Sequence, residues 1–370
     1  MAGSQGANPL VGGMQKVSLT HDTHFPLVQS LRGLAALWVV LFHAEEGGHL
    51  ASLTGALPSF ISDIVFRAGH FGVPIFFALS GFVITHSIRG VEPTGATYGR
   101  FILRRSLRLD PPFWASIAFV VIMAFIAAQA KNETFSAPTT GTIVAHIFYL
   151  QQILGLDTIN TVYWTLAYEV QFYAFFVGIL TLAGRGKRAG RVVWISMFAL
   201  AMAGAVHLLD GAPTGLFVNL WAAFFIGVMS YKALEISRAR LPAILLGVTM
   251  FLFGGSFMAF SAAAAALLWL SGMSWLPWSA TKLQWLGTIS YSLYLFHNPL
   301  TGAASFIVHR ILGSGVAADM AALIVILLVS ITGAAAFWWL LERPSHRLSR
   351  LVSLRKSTIK LPAETDSIRI

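Results

Sequence analysis

The chain has 370 residues, 56% hydrophobic and 11% charged, a composition outside that of soluble domains and typical of a protein that crosses a membrane several times. Its net charge of +10 does not indicate nucleic acid, because the Lys and Arg fall in short connections between apolar runs, where they act as topology signals, and form no single patch. The absence of cysteine excludes disulfides, thiolate metal sites and a cysteine nucleophile.

Apolar runs of about 20 residues fit helices better than the shorter alternating strands of a barrel. Residues 1–26 read as a flexible tail. They lack the charged start, short apolar core and small-residue cleavage site of a signal peptide, so the first span is expected to double as the targeting signal. Span one, 27–44, carries Arg32 and His43 eleven positions apart. At about 100° per residue both project from one face, roughly 16 Å apart along the axis. Ionisable residues on a lipid-length helix mark a pathway or a reaction centre. The competing reading has Arg32 snorkelling to the headgroups and His43 sitting at the interface.

Span two covers 70–88, and the connection after it is strongly basic, with Arg89, Arg100, Arg104, Arg105 and Arg108. The positive-inside rule puts this loop and the N-terminus in the cytoplasm. Span three, 111–130, is expected to start at Pro111 and Pro112, since a first helical turn tolerates proline. Arg105 and Arg108, three apart, share one side at its mouth and suit phosphate; ordinary topology marking is the alternative. The run 143–156 is short and polar, and is expected to be re-entrant or interfacial.

Further spans are expected at 163–183, 192–209, 215–231, 241–256, 259–274, 283–309 and 318–341. The fold class is therefore all-α and polytopic, with about ten transmembrane helices and both termini cytoplasmic. The domains are the tail 1–26, a membrane domain 27–343 and a basic tail 344–370 that could lie against anionic lipid. No inverted repeat of broken helices supports a transporter.

Glu169, inside an apolar run, must be paired, protonated or functional; Trp164, Tyr168 and Tyr173 flank it. Ser290, Tyr294 and His297 recur at i, i+4 and i+7 as one polar stripe, which interhelical hydrogen bonding would also explain. His70, His86, His146, His207 and His309 lie near expected span ends and read as interfacial. Their spacing gives no metal site.

These stretches together resemble the integral-membrane acyltransferase-3 family, whose members O-acetylate cell-surface polysaccharides. The likeness covers nearly all of residues 28–347. SLRGLAALWVVLFH carries the opening Arg and His, as Arg32 and His43. FGVPIFFALSGFVI resembles the second-span motif, with Pro74 where an acidic residue is common. RRSLRLDPPFW resembles the Arg-x-x-Arg helix start at Arg105 and Arg108. YWTLAYEVQFY puts Trp164 and Glu169 in register, and ISYSLYLFHNP and LERPSHR resemble the closing motifs. The WTLAYE wording is most similar to the exopolysaccharide-acetylating branch.

The resemblance implies a bacterial inner-membrane O-acetyltransferase that takes acetyl-CoA from the cytoplasm, needs no metal, and relies on His43. Arg104, Arg105 and Arg108, with Arg32 on the same side, are expected to hold the donor's phosphates, and its pantetheine arm to thread between spans one and three. Neutral His43 would act as general base on a sugar hydroxyl, oriented by Glu169 or by His297. Trp164, Tyr168, Tyr173, Ser290 and Tyr294 are expected to contact substrate or orient the site. The acceptor is expected to be a polysaccharide or its lipid-linked precursor. Direct attack is expected, as there is no cysteine and no serine in an elbow motif. No extracytoplasmic hydrolase-like domain, such as some members of the family carry, is expected after the last span. A transporter or flippase for an acylated saccharide, and a scaffold for a polysaccharide synthase, are the competing classes. The sugar, hydroxyl position, acyl length and oligomeric state, a homodimer included, are left open.

Overall fold

A computed structural model describes residues 25–273 and 281–354, and every regular element among them is helical. The helices are α1 (Pro26–Glu46), α2 (Ala51–Ala56), α3 (Ser59–Val65), α4 (Gly72–Ser87), α5 (Gly95–Lys131), α6 (Thr140–Ile147), α7 (Tyr163–Ala183), α8 (Lys187–Ala205), α9 (Trp221–Glu235), α10 (Arg240–Phe253), α11 (Gly255–Gly272), α12 (Thr281–Thr288), α13 (Ser290–Leu312), α14 (Val316–Phe337) and α15 (Arg343–Arg350). A π-helical turn, Trp338–Glu342, joins the last two. The expected tail 1–26 and the end of the basic tail fall almost wholly outside the described residues.

Seven helical stretches among the described residues are long and apolar enough to cross a membrane, fewer than the ten expected. The expected spans at 192–209, 241–256 and 283–309 correspond to α8, α10 and α13, which are outside that set. α10 has 14 residues and reaches only about 21 Å. α8 begins on Lys187, Arg188 and Arg191, and α13 carries the polar stripe through its first half. α6 has eight residues, about 12 Å, far too short to span. His146 at its end is buried, and its Nε2 accepts the Ile159 N–H at 3.1 Å, so it is an interior strut of the following loop and not an interfacial residue.

The largest departure is at α5. The basic connection expected before Asp110 is helical from Gly95, capped by the Thr94 hydroxyl, and Pro111 and Pro112 lie mid-helix. At 37 residues α5 is about 55 Å long, nearly twice the hydrocarbon thickness of about 30 Å, so its arginine-bearing end is carried beyond the apolar core. Two consecutive prolines deprive the Leu107 and Arg108 carbonyls of their usual amide donors. The neighbouring Leu109 carbonyl accepts the Tyr291 hydroxyl of α13 at 2.9 Å. Packing against α13 thus adds an interhelical hydrogen bond next to the two carbonyls that the prolines leave without amide donors. α15 packs against α5, so Arg343–Arg350, at the junction with the expected basic tail, form a helix lying against the bundle.

One core joins α4 to α7 and α9–α11, a second joins α1, α13 and α14, and a third joins α5, α7 and α13. α4 and α9 cross through reciprocal glycines: a Cβ on Gly81 would overlap the Phe224 carbonyl, and one on Gly227 would overlap that of Ala78. Such close backbone approach is how membrane helices gain packing that the lipid cannot supply. At one end of the bundle, buried Asp319 ties three elements together, accepting the Leu53 N–H and facing His309 Nε2, each at 2.9 Å. Gly227→Val should cost about 1–3 kcal/mol by overpacking, read as a lower unfolding temperature in lipid; Gly99→Ala, whose added methyl meets no atom within 4 Å, should leave that temperature unchanged or raise it slightly.

Candidate active site

The guanidinium groups of Arg104, Arg105 and Arg108 project from one side of α5, as their spacing requires. With His86 and Arg89 at the end of α4, and His346 and Ser349 of α15, they line a cavity of about 300 Å³. A second, deeper cavity of about 90 Å³ shares Arg105 and Arg108 with it. The two form a basic mouth and an interior chamber joined at these two arginines.

Arg32 of α1, Glu169 and Tyr173 of α7, Ser290, Tyr291 and Tyr294 of α13, and Glu342 of the π-helical turn line the chamber. Glu169 accepts the hydroxyls of Ser80 and Tyr173. Glu342, buried, accepts the backbone N–H and hydroxyl of Ser292 at 3.2 and 2.8 Å. The Arg105 guanidinium lies 4.5 Å from the centre of the Tyr173 ring, a cation–π arrangement. Among the described residues no carboxylate lies within the 4.0 Å of an ion pair to Arg32, Arg104, Arg105 or Arg108. Three guanidinium groups thus share the chamber with two carboxylates already held by hydroxyls, and the excess is positive.

Beyond Tyr294 sits an imidazole pair. Tyr294 is held by Thr165 Oγ1 at 2.6 Å and donates to the Val162 carbonyl at 3.0 Å, so it closes this end of the chamber. One turn on, the Nε2 of buried His297 lies 3.2 Å from Nδ1 of His43. Neither histidine lines the chamber. The acceptors assign both tautomers. Nδ1 of His297 faces the Leu293 and Tyr294 carbonyls at 3.0 and 2.9 Å and therefore carries its proton. Its Nε2 is then a lone pair that accepts from Nδ1–H of His43, which also points at the Val39 carbonyl at 2.9 Å. Nε2 of His43 is left as the unprotonated nitrogen, with Glu46 3.9 Å away. A neutral imidazole held this way can accept one proton at Nε2.

Of the residues expected from sequence, the structure gathers Arg32, Arg105, Arg108, Glu169, Tyr173, Ser290 and Tyr294 around the chamber, with Arg104 at the mouth. His43 and His297 form the pair beside it. The contact to His43 comes from His297, whereas Glu169 is engaged by Ser80 and Tyr173. Trp164 and Tyr168 do not line the chamber; Trp164 packs edge-on against Phe77 and Tyr168. Ser80, Tyr291, Glu342 and His346 were not singled out in the sequence. Glu342 ends an apolar run, but beside Arg343 it reads as a membrane boundary, so the signal that singled out Glu169 inside its run is absent there.

The model of the acyltransferase-3 family, described as an acyltransferase domain, matches residues 28–340. Nodulation protein 10 of Rhizobium leguminosarum bv. viciae is 27% identical over 94% of this chain and all of that protein. The exopolysaccharide production protein ExoZ of Rhizobium meliloti is 26% identical over 84% of this chain and 96% of that protein. The peptidoglycan O-acetyltransferase OatA of Listeria monocytogenes is 23% identical over 78% of this chain and 51% of that protein. No solved structure matches. With a family model spanning most of its length and an arginine-lined chamber beside a fixed imidazole pair, this multi-pass membrane protein belongs to the acyltransferase-3 family.

Proposed function

We propose that the protein moves an acetyl group from cytoplasmic acetyl-CoA to a hydroxyl of a cell-surface or exported polysaccharide, or of its lipid-linked precursor, across the bacterial inner membrane. The observation that carries this reading is a run of guanidinium groups with no carboxylate within 4.0 Å among the described residues, leading from a basic mouth into a chamber that ends next to a neutral imidazole. Arginines arranged this way suit the donor's phosphates. Arg104, Arg105 and Arg108 hold the phosphates at the mouth, and Arg32 faces the same chamber. The fit of these residues to a polyanion rests on the excess of positive charge they leave unpaired.

His43 performs the chemistry. Its Nε2 takes the proton of the acceptor hydroxyl as that oxygen attacks the acetyl carbonyl carbon. The carbon–sulfur bond breaks, the thiolate leaves, and the imidazolium returns its proton to the sulfur, so atoms and charge balance. Glu46 stabilises the transient imidazolium, and the Nδ1–H bond to His297 and Val39 keeps the ring in the tautomer that accepts at Nε2. His297 is a positioning residue in this scheme. The route from chamber to imidazole passes Tyr294, so the donor's arm displaces that ring from Thr165.

Three outcomes follow for purified protein in lipid. His43→Ala should lower acetyl transfer by about a hundredfold or more, the scale of a lost general base, while acetyl-CoA binding measured by calorimetry is retained; retention of most of the turnover would refute the role. Arg105→Ala combined with Arg108→Ala should weaken acetyl-CoA binding by on the order of tenfold to a hundredfold, the loss of one or two charge-assisted contacts. His297→Ala should reduce kcat by about tenfold with unchanged donor affinity, and His297→Gln, which keeps an acceptor oxygen, should recover part of it; a matching rise in KM with kcat intact would instead make His297 a binding residue. Movement of a saccharide without consumption of acetyl-CoA would favour the transporter class.

A further inference from the structure

On the face away from the arginine mouth, a groove of about 970 Å³ runs between the C-terminal halves of α5 and α13. One wall is apolar, built on Val120, Met123 and Ala127 of α5. Its margins, Ile126 and Ile307, are 51% and 57% exposed, so in a bilayer the groove opens sideways to lipid. The other wall is polar. Asn298, next in the chain to His297, donates to Asn160 Oδ1 at 3.0 Å and to Thr161 Oγ1 at 3.2 Å.

At the rim stand Lys131, which closes α5, and Arg310, in the last turn of α13, and neither forms an ion pair among the described residues. Half-buried His49 lies close to this charge: burial first, then His309 and Lys131, pushes its imidazole below the ordinary histidine value. The rim is therefore cationic at the end of the helices, where lipid phosphates lie. From Asn298 to Arg310 is twelve residues, roughly 18 Å along α13.

An apolar wall open to lipid, a cationic rim at headgroup level and a polar shelf whose Asn298 is next in the chain to His297 together match one kind of molecule. We propose that the groove holds the acceptor as a lipid-linked saccharide. Its polyprenyl chain lies along the α5 wall, its phosphate meets Lys131 and Arg310, and its sugar turns back along Asn160, Thr161 and Asn298 toward His43. The inference rests on the acyl-transfer reading and narrows its acceptor to a membrane-borne one. A soluble acidic saccharide would leave the apolar wall and its lateral opening without a role.

Gly302 provides the sharpest test, because it lines the groove and a Cβ there meets no atom within 4 Å. Gly302→Leu fills the groove without displacing the protein's own packing. The measurement is native mass spectrometry of the full-length protein in phosphatidylcholine nanodiscs, titrated with polyprenyl phosphate, with the matching polyprenol, or with a soluble acidic oligosaccharide. Polyprenyl phosphate should bind about tenfold tighter than polyprenol, the scale of one charge-assisted contact. Lys131→Gln with Arg310→Gln should erase that difference, and Gly302→Leu should weaken polyprenyl phosphate about tenfold while acetyl-CoA binding stays as in the wild type. Equal binding of the phosphate and the polyprenol, tighter binding of the soluble oligosaccharide, equal competition by phosphatidylglycerol, or a Gly302→Leu protein that binds polyprenyl phosphate like the wild type would each overturn the proposal. Failure of the wild type to bind or consume acetyl-CoA would overturn the acyl-transfer reading separately, since the lipid preference is measured without the donor.

Discussion

A guanidinium group keeps its proton at any pH a protein meets, and that constraint governs how this bundle is built. Arg32, Arg105 and Arg108 line an interior cavity, where a lysine could shed its charge and an arginine cannot. Pairing them with Glu169 and Glu342 would quench the charge and close the chamber. The structure instead satisfies each carboxylate with hydroxyl groups, from Ser80 and Tyr173 in one case and from Ser292 in the other. The arginines are left facing a cavity, an arrangement stable only when polar matter fills it. An anion that fits the space therefore gains what a satisfied ion pair would have taken away.

The elements around the chamber answer to the same need. α5 is continuous through two prolines, so the arginines stand on the helix that also walls the groove at its other end. The π-helical turn at Trp338–Glu342 turns Glu342 inward, and inserted turns of this kind recur where a side chain must be aimed. The glycine crossing of α4 and α9 brings the Ser80 helix against a rigid neighbour, which steadies the hydroxyl that Glu169 accepts.

The spacing of Arg32 and His43 on one helix was legible from the sequence because it needs only the period of an α-helix. The stripe Ser290, Tyr294 and His297 was legible for the same reason. What no local rule could reveal is that His297 meets His43 across 254 positions, or that Glu169 turns to Ser80. Those are properties of helix packing. Pro111 and Pro112 misled because the first-turn rule places proline at a helix start, whereas here the helix runs on through both and packs against α13, whose Tyr291 bonds the adjacent Leu109 carbonyl. The expected spans at α8 and α10 were read from apolar runs whose helices carry charge into their first turns or stop at 14 residues. Glu342 went unremarked because it sits beside Arg343, and a charged pair at the end of a span reads as a membrane boundary. Folding the π-helical turn back over Ser292 makes it an interior residue.

The separation of chamber from imidazole by Tyr294 bears on how an enzyme of this shape protects its donor. A thioester in contact with water and a basic imidazole is open to hydrolysis, and an active site that assembles only when occupied avoids that loss. On the proposed reading His43 is already in the tautomer that accepts at Nε2. The controllable step is physical access past one aromatic ring, held by two hydrogen bonds of modest strength, from Thr165 and to the Val162 carbonyl. A donor arm long enough to reach Tyr294 can displace those bonds, whereas water in the chamber gains nothing by doing so. On the proposed reading, Tyr294 makes donor occupancy the condition for joining the chamber to the imidazole pair.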